Sequence, residues 1–561
     1  MPEKIITDKH RSNQRRSHLL LLLGWIVLGV VLRFTNLAIK PPWSDEWATI
    51  VFSLGHSFRA IALNRLVSLN ELLQPLTVES VRSQAVVEHL MRESTHPPLY
   101  FLLSHWWLQL GSKGLVSIWW ARSLSTLLGV AAIPAMYYLG KLWFRNLITA
   151  QFCAALMAVS PLAIYLSQEA RHYTLAILWV IASLACLNLA VHSISTRTKL
   201  SLWVIAAWVV VNSLGLATHY FFALTLVAET MVLFTYWLPD WRRSLAAYWL
   251  RIYLAIVATV SGSLVWVIDW RGISDNQLTS WIFAGNPLAD FFDPLIRLLV
   301  WWLTTIFILP VEGVPDWIAI TSGAIALGFL IWSIPQGWRG LQASRRYSSN
   351  AKGIEILWRF LVMAIAIILT ITYIFGADLT LSARFQFIYL PALLLLVAAV
   401  LSALWQQATE WRFTAKGKPV VIITLFLGFL GALTVVNNFA YQKVERPELV
   451  VPEIVAAKLN TPVIIATLHR THGQTGEMMS LAWQLQQSYN FKPGFVFAHS
   501  DRDNGQATQS LIDAISEVPR PFQLWLVNFF PDKRLKSQGC STGDLPIQRA
   551  TGYSYLLYTC L

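Results

Sequence analysis

Two adjacent carboxylates, Asp45 and Glu46, follow Lys40-Pro41-Pro42-Trp43-Ser44, just past the first long apolar run of the chain. Other polar groups stand against apolar runs in the same way. They are Thr95-His96-Pro97-Pro98-Leu99-Tyr100, Tyr165-Leu166-Ser167-Gln168-Glu169-Ala170-Arg171-His172-Tyr173, Thr218-His219-Tyr220 and Ser382-Ala383-Arg384-Phe385. Ionisable groups at the edge of hydrocarbon are costly unless water, a metal or a reacting group uses them. One or two acids with several cations and histidines suit an anionic lipid headgroup that is cleaved or transferred. Singly, each has a plainer reading: Arg384 as a snorkelling helix-end residue, His96 and His219 as packed or capping histidines, Glu169 and Arg171 as a surface ion pair. The two prolines are expected to stop the preceding helix and hold Asp45 and Glu46 in an extended loop.

The elements that must position these groups follow from composition. Of 561 residues, 55% are hydrophobic and only 13% charged, with a mean hydropathy of +0.52. A soluble domain is about a quarter charged, so the chain reads as a polytopic membrane protein. The net charge of +13 falls mainly in short loops between apolar segments, which points to lipid headgroups and phosphates and away from nucleic acid. Residues 1–17 are basic, and no small-residue cleavage site follows the run Leu19–Leu32, so an uncleaved first helix is expected. Cys153 and Cys186 lie in apolar segments. Cys540 and Cys560 lie in a polar region where they could pair outside the cytoplasm.

Crossing about 30 Å of hydrocarbon takes roughly 20 apolar residues. The expected spans are eleven: 18–38, 118–140, 147–165, 172–192, 200–217, 219–238, 248–269, 316–335, 357–376, 385–405 and 418–438. Two further apolar pieces, 98–110 and 290–309, are expected as interfacial helices, although thirteen crossings remain open. With the N-terminus inside, this arrangement gathers Lys141, Arg145, Arg197, Lys199, Arg242, Arg243, Arg339, Arg345, Arg346, Lys352, Arg412, Lys416 and Lys418 on the cytoplasmic side. It leaves only Arg171, Arg271 and Arg384 in short outer loops. Every polar cluster then lies on the outer face. Residues 1–440 are expected as the membrane domain, with outer loops at 39–117 and 270–315. Residues 441–561 alternate strand and helix patterns and are expected as a small outer α/β domain.

The ordered set resembles the GT-C superfamily of lipid-dependent glycosyltransferases, in particular the family 39 branch. That branch holds the protein O-mannosyltransferases and the bacterial aminoarabinose transferase. The matching elements are Asp45-Glu46 after the first span, His96-Pro97-Pro98-Leu99, Gly111 followed by Arg122, Ser167-Gln168-Glu169-Ala170-Arg171, Thr218-His219-Tyr220 and Arg384-Phe385. Departures are Phe385 where the family has tyrosine, His96 where the aminoarabinose branch has lysine, and Glu169 where some branches have aspartate.

The resemblance implies a GT-C fold in a bacterial inner membrane and transfer of a sugar from a polyprenyl-phosphate donor to a hydroxyl of a glycolipid, protein or polysaccharide. It implies Asp45 as general base, supported by Glu46, with Arg384, Arg171 and His96 at the donor phosphate. Glu169, His219, Tyr100 and Tyr173 are further site candidates. A divalent metal, with Glu169 and His172 as its candidate ligands, stays open. The competing readings are a polyprenyl-diphosphate-glycan ligase or polymerase, and a lipid or polysaccharide transporter. A transporter would place ionisable groups near the middle of its spans, whereas here they stand at span ends.

Overall fold

The computed structural model describes residues 2–269, 277–283, 285–346, 348–407, 417–457, 461–489, 491–500, 504–542 and 547–561. Arg271, Arg412 and Lys416 lie outside these residues. The chain divides into two compact units. One comprises Met1–Leu37, Arg122–Ser274 and Thr279–Tyr441; the other comprises Ala38–Ala121, Asp275–Leu278 and Gln442–Leu561. Residues 39–117, read from sequence as an outer loop of the membrane domain, thus fold in one unit with the C-terminal residues.

The first unit is helical. Among the described residues, eight helices are long and apolar enough to cross a bilayer: Arg15–Phe34, Ile118–Phe144, Tyr173–Thr196, Phe222–Arg243, Ala247–Val265, Asp316–Arg345, Asn350–Ile374 and Gly417–Val436. Leu147–Val159 and Pro161–Ser167 make a ninth candidate, bent by 55°. Leu202–Thr218 and Leu390–Gln406 are apolar but shorter. Each of the eleven expected segments is therefore an apolar helix, but only eight, or nine with the bent pair, reach spanning length. Counting apolar residues overran the shorter ones. The expected span 385–405, for instance, begins inside the 3-10 turn Ala383–Ile388.

The bend has a local cause. Helix Leu147–Val159 ends at Ser160, whose ψ of 118° leaves the helical region, and Pro161 opens the next helix. Proline is well suited to a first helical position but has no N–H to offer the carbonyl of Met157, four residues back. Arg33, fully buried on the first helix, supplies the missing donors. Its Nη2 donates to the Met157 carbonyl at 2.7 Å, its Nη1 to that of Ala158 at 3.0 Å, and its Nε to Ser167 Oγ at 3.2 Å. Gly129 leaves room for this arrangement, since a Cβ there would lie 2.1 Å from Ser167 Oγ.

The second unit is built on a sheet whose strands run in the order Leu66–Ser68, Gly494–His499, Val463–His469, Phe522–Val527, Tyr553–Cys560 and Cys540–Ser541. Gln548–Ala550 also pairs with Tyr553–Cys560. Val463–His469 is parallel to both of its neighbours, with Ile465 opposite Phe495 and Trp525, and the remaining pairs are antiparallel. Phe522–Val527 is buried along its whole length, as a strand covered on both faces must be. The outer strand Leu66–Ser68 comes from the far end of the sequence, which hydropathy gave no means of seeing. Cys540 and Cys560 face each other across a strand pair and form a disulfide.

Two helices answer to the expected interfacial pieces. Leu99–Gln109 and Phe292–Ile306 have 11 and 15 residues. At about 1.5 Å per residue, both fall short of about 30 Å of hydrocarbon. The second leaves Phe292, Ile296, Leu299 and Val300 exposed at helical spacing, an apolar stripe of the kind that lies in an interface.

Arg33→Met is expected to leave the carbonyls at the bend without donors in apolar surroundings, costing about 3 kcal/mol. Thermal melting of the purified protein in detergent should show a lower midpoint. An unchanged midpoint would contradict this account of the bend.

Candidate functional site

The helical unit brings three of the sequence clusters together. The turn after Ser167 is held from several sides. Gln168 Nε2 donates to the carbonyls of Arg33 and Thr35 at 3.2 and 2.9 Å, Thr126 Oγ1 donates to the Ser167 carbonyl, and Ser125 Oγ donates to that of Arg171. Glu169, Arg171, His172 and Tyr173 are buried as a result. Tyr165 donates its hydroxyl to Glu169 and lies within electrostatic reach of Arg384. The guanidinium of Arg171 is 5.8 Å from the Tyr173 ring.

Helix Leu202–Thr218 stops with His219 in extended conformation, which sets its imidazole among aromatic rings. The His219 ring lies 4.5 Å from His172, 5.6 Å from Tyr173 and 5.2 Å from Phe387. Its Nδ1 accepts the Phe221 backbone N–H at 3.0 Å. That fixes the ring proton on Nε2, so His219 faces the cluster as a neutral donor while this bond holds. Arg384, in the turn Ala383–Ile388, lies 5.5 Å from the Trp281 ring and 5.6 Å from the Phe385 ring. Phe385 in turn packs against Phe221 at 4.9 Å. Two guanidinium groups, two imidazoles, a carboxylate and two tyrosines thus share one region walled by aromatic rings. Guanidinium groups beside such rings offer planar sets of donors suited to phosphate.

The second unit carries Asp45, Glu46, His96 and Tyr100. Asp45 and Glu46 are not in a loop, as the prolines implied, but in the first turn of helix Ser44–Ser53. Pro41 and Pro42 precede that helix without entering it, and Trp43 at its cap supplies no side-chain acceptor. Glu445 does so from a position 401 residues away. Its two carboxyl oxygens accept the Ser44 N–H at 2.7 Å and the Ser44 hydroxyl at 2.6 Å. Two more contacts lock the helix start. Trp47 Nε1 donates to Ser480 Oγ, which donates to the Pro42 carbonyl, and a Cβ on Gly476 would lie 3.0 Å from Ser44 Cα.

Asp45 is half-buried and Glu46 fully buried. His96 is half-buried, its Nδ1 3.1 Å from Ser94 Oγ, and Tyr100 is buried on the helix that follows. That helix is tied to the Asp45 helix by His105 Nδ1, 2.8 Å from the Ser53 carbonyl.

Sequence reasoning missed Glu445, Glu477 and His472. Burial raises Glu445 to about 8, and the negative charges of Glu477 and Asp45 push the same way against the two Ser44 bonds. Burial also raises Glu477, opposed by the bond from Asn528. It lowers His472, stacked on Phe58, to about 4, against the pull of Asp45. His469 is lowered to about 4 by burial and then by His499 and His472. Glu445 sits in a charged stretch after the last span and carries no motif. Among the described residues, no three His, Cys, Asp or Glu side chains are grouped to hold a metal ion, and this includes the surroundings of Glu169 and His172.

No family model and no curated protein matches the chain. Among solved structures, the chain is similar to ArnT from Cupriavidus metallidurans bound to undecaprenyl phosphate. The identity is 13% and the TM-score 0.49, over 95% of this chain and 97% of that one. The apo state of that protein gives 14% and 0.49, over 96% and 98%. An Archaeoglobus fulgidus oligosaccharyltransferase in complex with zinc and sulfate gives 11% and 0.45, over 90% and 67%.

The shifted groups set a pH dependence for the second unit. Glu445 titrates higher in the fold than the ordinary 4.5, so its stabilisation is complete below 4.5 and is lost as pH rises through about 8. The two lowered histidines act oppositely, adding stability as pH rises from about 4 to 6.5. Between pH 6.5 and 8 the carboxyl effect stands alone, and at about 1.4 kcal/mol per proton per pH unit it costs about 1 to 2 kcal/mol. Amide exchange in Ser44–Ser53, corrected for intrinsic rates, should therefore quicken over that range, and Glu445→Gln should flatten the slope. An equal slope in the variant would contradict the assignment.

Proposed function

We propose that the chain is a GT-C-type membrane glycosyltransferase that moves a sugar from a polyprenyl-phosphate carrier to an acceptor hydroxyl. The observation that carries the reading is the meeting of 165–173, 218–221 and 384–387 in one aromatic-walled cluster of cations and imidazoles at helix ends. Such a cluster suits an anionic headgroup on a lipid. The ordered motifs that resemble the GT-C family support the same class.

The chemistry follows from the leaving group. A polyprenyl phosphate departs as a stable anion, its second pKa being about 6, so no strong general acid is required. The reaction needs a base for the acceptor hydroxyl and cations for the growing phosphate charge. Asp45 takes the hydroxyl proton as the oxygen attacks the anomeric carbon, and Glu46 positions it or the sugar. Arg384 and Arg171 hold the phosphate, joined by His96 when protonated. One base and direct displacement give inversion, because retention requires a second carboxylate as nucleophile. Transfer on the outer face of a bacterial inner membrane fits the Cys540–Cys560 disulfide, which persists in oxidising compartments.

The test is a transfer assay with purified protein, radiolabelled polyprenyl-phosphate sugars and membrane extract. Asp45→Asn should lower transfer by about 10²-fold or more while leaving the protein folded. Arg384→Ala should lower it by about 10²-fold, with Arg384→Lys retaining part of the loss. Near-normal transfer by Asp45→Asn sinks the base assignment. Turnover of a diphosphate-linked glycan with no monophosphate donor would replace the reading with a ligase or polymerase.

A further inference from the structure

Apart from the polar cluster, the helical unit holds a cavity of about 400 Å³, within the size range of pockets that enclose a small ligand. Helices Leu202–Thr218, Phe222–Asp240 and Ala247–Asp269 form it. Its walls are mainly apolar, including Leu216, Ala223 and Ala255, with the hydroxyls of Thr230, Thr259 and Ser263 among them. Val227 and Val260 also line it and are exposed on the surface of the apolar helices, so the cavity opens to the lipid phase.

One acid lines this cavity. Glu229 is 2% exposed and lies in an apolar helix. Its Oε2 is bonded to Ser183 Oγ at 2.8 Å. Ser183 is also bonded to Asn212 at 2.9 Å and accepts Trp208 Nε1 at 3.1 Å, while Asn212 reaches Thr259 at 3.4 Å. The network is closed on that side. Glu229 Oε1 is buried and meets no hydrogen-bond partner among the described residues. A buried carboxyl oxygen left so is costly in hydrocarbon, and an intramembrane acid marks a functional site by default.

We propose that this cavity binds a neutral lipid alcohol, its chain against the apolar walls and its hydroxyl hydrogen-bonded to Glu229 Oε1. The chemistry selects among lipid heads. No Lys, Arg or His lines the cavity, and its one carboxyl group would repel an anion, so phosphate heads are excluded, the proposed donor's included. An ammonium head would bring a second charge among largely apolar walls, and a buried ion pair whose protons are not all bonded loses more by desolvation than it gains. A hydroxyl needs only one such partner. The cavity shares Tyr220 with the 218–221 segment of the polar cluster but uses none of the residues assigned to the proposed transfer reaction.

The test uses the full-length protein in detergent and a diazirine-bearing C16 alcohol at sub-saturating concentration, with adducts mapped by mass spectrometry. Adducts are expected in 216–231 or 255–264. Glu229→Leu should reduce them about fivefold, the worth of one hydrogen bond, and Ala223→Trp, which fills the cavity but keeps the acid, should abolish them. Equal labelling of wild type and Ala223→Trp overturns the site whether or not Glu229→Leu folds. Stronger labelling by the matching C16 amine or C16 phosphate overturns the assignment of an alcohol.

Discussion

The helical unit depends on one guanidinium. Inside hydrocarbon a backbone group that loses its helical partner has no water to turn to, so a broken helix survives only where the protein replaces each lost bond. Pro161 removes one donor from the helix before it, and Arg33 returns more than one, to Met157 and Ala158. The same side chain reaches Ser167, at the end of the short helix that the break creates. The residues that follow, Gln168 to His172, are the polar segment on which the proposed chemistry rests. A charge in the first helix is therefore what allows a buried turn to exist where a straight helix would have carried only apolar side chains.

The second unit solves a similar problem differently. Helix Ser44–Ser53 begins with two acids and a tryptophan cap that accepts nothing, and Glu445 accepts the first N–H in its place. An acid at a helix start interacts favourably with the exposed N–H groups, but here its burial, and then the two acids near it, hold a proton on Glu445 to about 8. The C-terminal residues are thus part of the scaffold of Asp45. The sequence alone showed in them only an alternation of strand and helix patterns, with no recognisable catalytic motif.

What could be read in the sequence was whatever depends on neighbours in the chain. Apolar runs located every helix of the membrane unit, and alternating patterns located the central strands of the sheet. Polar residues at the ends of apolar runs picked out Glu169, Arg171, His219 and Arg384, which do share one region. What could not be read depends on partners far away in sequence. Nothing local singles out Arg33, because its partners lie 124 to 134 residues on. The Pro41-Pro42 pair argued correctly for the end of one helix, yet it equally well precedes the start of another, and nothing local decides between loop and helix at Asp45.

The failures of span counting point the same way. Three of the eleven expected spans do not form straight helices of crossing length: the bent pair at Ser160, Leu202–Thr218 and Leu390–Gln406. Each carries a member of the cluster at its end. The bent pair leads into Gln168–His172, Leu202–Thr218 stops at His219, and Leu390–Gln406 is preceded by the turn that holds Arg384. A helix that ends early frees several residues from helical geometry while they are still surrounded by protein, the one setting in which irregular backbone is tolerated at membrane depth. Helices of full length would carry the same side chains outward to the interface and into water, where a phosphate would be shared with solvent and each cation would contribute far less. The short helices are thus the means by which the cluster is buried.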